Sequence, residues 1–273
     1  MTPEEQLERE ADGRRLAVAA TVGSVALQVL AVVVRGTVRA PGNANAPGGV
    51  LDLPRHLSQH ATAYVASAVL LAGGYVLLAP VLDYLYRAAK ARRPEVPGVA
   101  RVTAYAGPAL LVAGLVVLEV VPVVRAQDYV NHHRGDYFAA RAVVDPGAAA
   151  GLLPAGAFAL GFAFVITSLN AMRVGLLTRF MGVLGIIVGV LVAIQSTAPT
   201  PILWFWLGAL AYLFAGRWPG GVPPAWRTGK AEPWPSAQEL RARRQREQAA
   251  PAPAAEPAPA PRPRSRKRRG GAR

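Results

Sequence analysis

Apolar residues in this chain neither alternate nor recur on one helical face. They gather into six long runs separated by short polar joints: Leu16–Val34, Ala61–Leu82, Val102–Val124, Leu153–Met172, Phe180–Pro199 and Pro201–Gly216. A helix crosses bilayer hydrocarbon with about 20 predominantly apolar residues, and all but the last run reach roughly that length. The sixth is short and calls for local thinning or adjustment by its neighbours. The pattern predicts an all-α fold, a polytopic transmembrane helix bundle with six spans over residues 16–216. A cytoplasmic segment, 1–15, precedes it, and a disordered basic C-terminal tail, 217–273, follows.

Finer signals mark the joints. The first run follows Arg14 and Arg15 as the core of a signal peptide would, but it is too long for one. The small-residue signal at Ala44–Ala46 lies far downstream and is followed by Pro47, so the run reads as a retained helix. Asp52-Leu53-Pro54 has the form of a helix start, with Asp as N-cap and Pro in the first turn. Ala198 to Pro201 reads as a tight turn. Small residues four apart, at Ala109/Ala113, Ala157/Gly161 and Gly185/Gly189, suit close helix approach. Packing within one bundle is the favoured use of them, and a homodimer face is the alternative. No internal repeat of the transporter type is visible.

Composition agrees with the pattern. Hydrophobic residues make up 52% of the chain against 17% charged, and the joints are too short to build a separate soluble core. The net charge of +14 is uneven, since 14 of the 30 Lys and Arg residues lie at or after Arg217. Loop cations set orientation, because Lys and Arg are retained on the cytoplasmic side. Arg87, Lys90, Arg92, Arg93 and Arg101 crowd the joint after the second run and Arg173 and Arg179 follow the fourth, while the opposite side has Arg35, Arg39 and Arg55, then Arg125, Arg134 and Arg141, and none between the fifth and sixth runs. With the tail added, both termini fall in the cytoplasm of a bacterial plasma membrane. Trp204 and Trp206 are expected at the outer interface and Trp218 at the inner one.

The tail reads in three parts. Trp218, Trp226 and Trp234 are evenly spaced in a Pro- and Gly-rich strip that suits a non-helical run along the inner interface. Ser236 to Glu239 has the form of a capping box opening a short polar helix, and Ala-Pro repeats from Ala249 to Pro261 cannot form a core. The last cluster, Arg262, Arg264, Arg266, Lys267, Arg268 and Arg269, is expected to meet anionic lipid head groups, each residue contributing about 1 kcal/mol near such a leaflet. Nucleic acid is disfavoured as a partner, because no aromatics interleave with the basic residues and no recognition module is present.

Candidate chemistry is sparse. Glu119 is the one formally charged residue inside any of the six runs, which makes it a candidate for an ion or proton pathway, with Arg125 as its expected partner. His56 and His60, four apart, share a helical face with Tyr64 and Ser67 continuing the stripe, and His60 could join a proton relay. His132 and His133 fall in the next outer joint beside Asp128. These five side chains form a candidate divalent-metal set, although a His-x-x-x-His spacing without the Glu of metallopeptidases fixes no third ligand. Ser168, Asn170 and Gln195 suit bonds between helices. With no cysteine, thiolate ligands, disulfides and cysteine nucleophiles are excluded, and no phosphate-binding loop, dinucleotide fingerprint or serine-hydrolase elbow appears.

The stretch from Phe164 to Gly189, with its basic turn Arg173 to Arg179 and the Gly-Val-Leu-Gly of Gly182 to Gly185, resembles the signature region of a family of unknown function among actinobacterial multi-helix integral membrane proteins. Gly216 to Trp226, with Pro233-Trp234-Pro235, resembles tails of the same relatives. The resemblance implies location and helix count, and no catalytic residue. The sequence thus reads as a non-enzymatic integral membrane protein without a cofactor. A small-solute or ion transporter using Glu119 is the alternative, and a metal-dependent membrane enzyme using the outer histidines is the third reading.

Overall fold

The computed structural model describes residues 2–38, 47–194, 199–219, 221–234, 241–242 and 245–246. It is all-helical, with no strand among the described residues. The chain divides into a unit covering Met1–Trp234 and a second covering Pro235–Arg273. Of the second unit only 241–242 and 245–246 are described, and both pairs are helical. The expected capping box at Ser236, the Ala-Pro stretch and the cluster Arg262, Arg264, Arg266, Lys267, Arg268 and Arg269 lie outside the described residues, as does Gln195.

Among the described residues four helical stretches are long and apolar enough to cross a membrane: Pro3–Gly36, Ala61–Arg92, Val99–His132 and Tyr137–Arg173, the last interrupted at 144–146 and by a 3-10 turn, Gly147–Gly151. The first, α1 (Pro3–Gly36), begins well before the apolar run because Thr2 and Glu5 form a reciprocal capping box with Pro at the start. Residues 3–15, expected as a separate cytoplasmic segment, are therefore helical. A short α2 (Pro47–Gln59) already contains Asp52 and Pro54, so Asp52 is not the N-cap the sequence suggests. α3 (Ala61–Arg92) runs ten residues past the expected end at Leu82, which puts Arg87, Lys90 and Arg92 on a helix rather than in a loop.

α4 (Val99–Leu115) passes through a single π-helical turn, Val116–Val120, into α5 (Val121–His132). Pro122 explains the turn. Lacking an N–H, it cannot continue the α ladder, and the preceding residues widen so that the Val121 N–H reaches the Val116 carbonyl. α6 (Tyr137–Val143) is capped by the Asp136 carboxylate, which accepts from the amides of Phe138 and Ala139. α7 (Leu152–Arg173), α8 (Arg179–Ala193) and α9 (Pro199–Phe214) follow. The last two, at 15 and 16 residues, are shorter than the four long helices.

Close contacts between helices fall where side chains are missing. A Cβ on Gly107 would sit 2.6 Å from the Leu160 nitrogen, and one on Gly74 would sit 2.6 Å from Gln28 Cγ. Gly161 and Gly189 meet backbone to backbone, which fulfils the expected packing of α7 on α8. In α4 the expected pair Ala109 and Ala113 faces outward instead, and Gly107 and Gly114 provide the contact with α7. Some polar groups inside the bundle bond between or along helices: the Ser24 hydroxyl donates to the Gly74 carbonyl at 2.8 Å, and the Gln28 amide donates to Ser24 at 3.0 Å, whereas the Thr167 and Ser168 hydroxyls are buried without a partner among the described residues. Large apolar residues such as Leu16, Val102, Phe158 and Phe205 point outward, as lipid-facing positions do.

Two tryptophans depart from their expected interfacial places. Trp206 is fully buried, stacks edge-on against Phe164 and donates to the Met181 carbonyl at 2.9 Å. Trp226 lies on a short helix, α10 (Pro224–Thr228), not on a non-helical strip. Its ring stacks on Tyr84 at 5.6 Å and its N–H donates to the Leu176 carbonyl at 2.9 Å. Residues 217–234 are part of the bundle unit for this reason. Further along, Glu232 donates its amide to the Val174 carbonyl, crossing directly over Gly175, whose φ of +82° and missing Cβ admit the close approach.

Gly107→Ala is expected to destabilise the bundle by about 1–3 kcal/mol through overpacking against the Leu160 backbone. Gly208→Ala, whose Cβ would enter open space, should change stability by less than about 0.5 kcal/mol. Thermal midpoints in detergent separate the two, and equal midpoints would contradict the packing described.

Candidate functional site at the π turn

Glu119 sits inside the π turn, and the turn gives it a direction that an unbroken helix would not. Its partner is Arg35 at the end of α1, not Arg125: Arg35 Nη1 donates to Glu119 Oε2 at 3.0 Å. Arg125 instead donates to the carbonyls of Ala142 and Asp145, which fastens the end of α6. The ion pair is partly exposed, with 43% of the Arg35 side chain and 32% of the Glu119 side chain accessible.

The pair forms one wall of a cavity of about 360 Å³ between α1, α3 and the α4 π-turn region. Ala31, Val32, Ala68, Leu71 and Leu115 supply apolar walls. Ser67 also lines the cavity, but its hydroxyl is already given to the Tyr64 carbonyl at 2.9 Å. The charged groups available to an occupant are therefore Glu119 and Arg35.

Arg35 is held from a second side. Its guanidinium carbon lies 3.8 Å from the centroid of the Tyr64 ring, a contact worth about 0.5–2 kcal/mol depending on desolvation. Tyr64 in turn meets the His56 ring edge-on at 6.1 Å, and His56 lies 4.4 Å from His60 between ring centroids. The two histidines do face each other as their spacing suggests, but from different helices, because α2 ends at Gln59 and His60 is the N-cap of α3. His60 Nδ1 is within 3.1 Å of the His56 carbonyl. A carbonyl only accepts, so this ring carries its proton on Nδ1.

His56 Nε2 is buried without a partner among the described residues. Burial pulls the His56 pKa below its ordinary 6.5, and electrostatic interaction with the His60 ring and the Arg35 guanidinium pulls it further the same way. The second histidine pair is separate. His132 Nδ1 lies 3.0 Å from Asp128 Oδ1 and His133 Nε2 lies 4.0 Å from Asp128 Oδ2, all well exposed. Asp128 and His133 line their own surface groove with Arg125 and Asp145. Among the described residues no three His, Asp or Glu side chains converge as a metal site. Arg35 also adds positive charge beside His56, which opposes a dication there.

A small second core locks this end of the bundle. Leu57 of α2, Tyr64 of α3, Val123, Ala126 and Tyr129 of α5, and Ala140 and Val143 of α6 pack together, so the two short helices cap the site. Arg35 and Tyr64 shape the site together with Glu119, and the pattern of apolar runs does not single out Arg35. The readable signal was Pro122, three residues after the lone carboxylate in the apolar runs.

The opposite end of the bundle carries a carboxylate outside the expected spans. Asp83 is buried and accepts from Arg87 at 2.8 Å and Arg101 at 2.9 Å.

No protein-family profile, curated protein or solved structure matches this chain.

The depressed His56 pKa sets a pH dependence. Below 6.5 the unfolded chain protonates His56 before the folded one does. This contribution to stability is therefore complete above 6.5 and is lost as pH falls toward the folded value. Between about pH 7.5 and pH 5.5 the wild-type thermal midpoint should fall more steeply than that of His56→Asn. Parallel slopes would show that His56 is not the titrating group.

Proposed function

We propose that this is a non-enzymatic integral protein of a bacterial plasma membrane, with six spans and both termini cytoplasmic, that binds and moves a small organic cation at Glu119. One observation carries the reading: the lone carboxylate in the apolar runs lies on a π turn, lines an apolar-walled cavity, and pairs with a cation that a tyrosine ring also holds. An incoming ammonium competes with Arg35 for Glu119. Arg35 on release keeps its stacking on Tyr64, so the exchange does not strand a charge.

The six-span topology is supported by the four long apolar helices together with the two shorter ones, α8 and α9, and by the excess of Lys and Arg on one side once the tail is counted. In this reading the basic tail adds attraction to anionic head groups. The resemblance of Phe164–Gly189 to an actinobacterial membrane family agrees with location and helix count.

Proteoliposome uptake of radiolabelled tetraethylammonium, a fixed-charge and poorly permeant probe, tests the proposal. Glu119→Gln is expected to lower uptake about tenfold or more, the scale of losing one charge-assisted contact. Arg35→Gln should lower the KM, because the internal competitor is gone. Equal uptake by wild type and Glu119→Gln, or none by wild type, would overturn the assignment. A carboxyl-terminal tag reachable from outside intact cells would overturn the topology.

A further inference from the structure

At the other end of α1, about 43 Å from Arg35 at ~1.5 Å per residue, the helices open a second pocket. Its volume is about 330 Å³, and it is lined by Gln6 and Arg9 of α1, Tyr86, Arg87 and Lys90 of α3, and Arg101 of α4. Four of these six side chains are cationic. The carboxylates nearby are committed: Asp83 is held by Arg87 and Arg101, and Glu10 is held by Arg92 and the Gln6 amide. Among the described residues Arg9 and Lys90 have no carboxylate partner, and Lys90 Nζ donates to the Tyr86 hydroxyl at 2.9 Å. The pocket therefore holds surplus positive charge at a defined place, beyond the general basicity of that end.

A second, independent feature points to the ligand. Gln6 is buried, at 6% exposure, and its Nε2 is fixed by donation to Glu10 Oε1. Its Oε1 is left buried with no donor. An occupant that completes the pocket must bring an anion to Arg9 and Lys90 and a donor to the Gln6 carbonyl. A cationic donor is excluded by the surrounding guanidinium groups, whereas a hydroxyl is not. We propose that this pocket binds the phosphate ester of a polyol, a glycerol phosphate group in the simplest case, carried by an anionic lipid or free in solution. The site is separate from the Glu119 cavity and does not depend on what that cavity moves.

The full chain purified in neutral detergent provides the test. Native mass spectrometry counts retained dioleoyl phosphatidylglycerol and, for comparison, dioleoyl phosphatidic acid, which lacks the head-group hydroxyls. Equilibrium dialysis measures sn-glycerol 3-phosphate. Arg9→Gln with Lys90→Gln should weaken binding of the preferred probe about tenfold, while Arg173→Gln with Arg179→Gln, which removes the same charge at other exposed positions, should leave it unchanged. Gln6→Leu should erase the preference for phosphatidylglycerol over phosphatidic acid. Binding of the soluble ester identifies a free metabolite, and retention of the lipid alone identifies the leaflet as the source. Equal weakening by the two charge pairs, no weakening by either, or no binding of any probe by the wild type would overturn the proposal. The exposed positions of all four cations keep folding out of the comparison, and thermal midpoints verify it.

Discussion

Helices surrounded by acyl chains gain little from hiding apolar surface against one another, because the solvent is as apolar as they are. What holds such a bundle is close contact, and here contact depends on absent side chains. Gly107, Gly156, Gly161 and Gly189 let α7 lie against α4 on one side and α8 on the other at backbone distance, and Gly74 does the same for α3 against α1. Only after those approaches are made can the short polar bonds form, such as Ser24 to the Gly74 carbonyl. The apolar surface left over points outward.

Charge is then confined to the two ends, and each end uses it differently. Near Arg35 the charges are partly exposed, line a cavity and are shared with an aromatic ring, an arrangement that can exchange partners. Near Arg92 they are buried and tied. The Arg92 side chain is inaccessible, grips Glu10 with both terminal nitrogens, and donates to the Ala225 carbonyl at 2.7 Å. Tyr84 adds a bond to the Glu10 carbonyl at 2.9 Å. Removing one member of such a buried pair typically costs about 3–5 kcal/mol, because its partner is left uncompensated. The Arg35 pair is arranged for exchange and the Arg92 pair for closure.

The long apolar runs made the helical fold legible, since a stretch of some twenty apolar residues has few alternatives. Helix ends were less legible because tertiary partners extend them. α3 continues through Arg92 because Glu10 and Ala225 wait for that guanidinium, and nothing local in the sequence announces either. Trp206 and Trp226 were misplaced for the same reason: interfacial preference is an average over side chains with one wet edge, and these two find carbonyl acceptors inside the protein. Glu119 was legible as the lone carboxylate in an apolar run. Its partner was not, because α1 and the π turn are brought together only by the fold. The histidine spacing predicted proximity correctly but not the helix break between His56 and His60.

The Arg92 junction joins α1, near the beginning of the chain, to α10, and this has a consequence in time. Arg92 leaves the ribosome 133 residues ahead of Ala225. At translation speeds of about 5–20 residues per second, its side chain waits on the order of ten seconds for that acceptor. During the interval its guanidinium has only Glu10 and the Ala88 carbonyl of its own helix, and the Tyr84 ring lacks the indole that later covers it. The newborn protein thus passes through a half-latched stage, and the final turn at Pro224–Thr228 acts as the bolt that ends it.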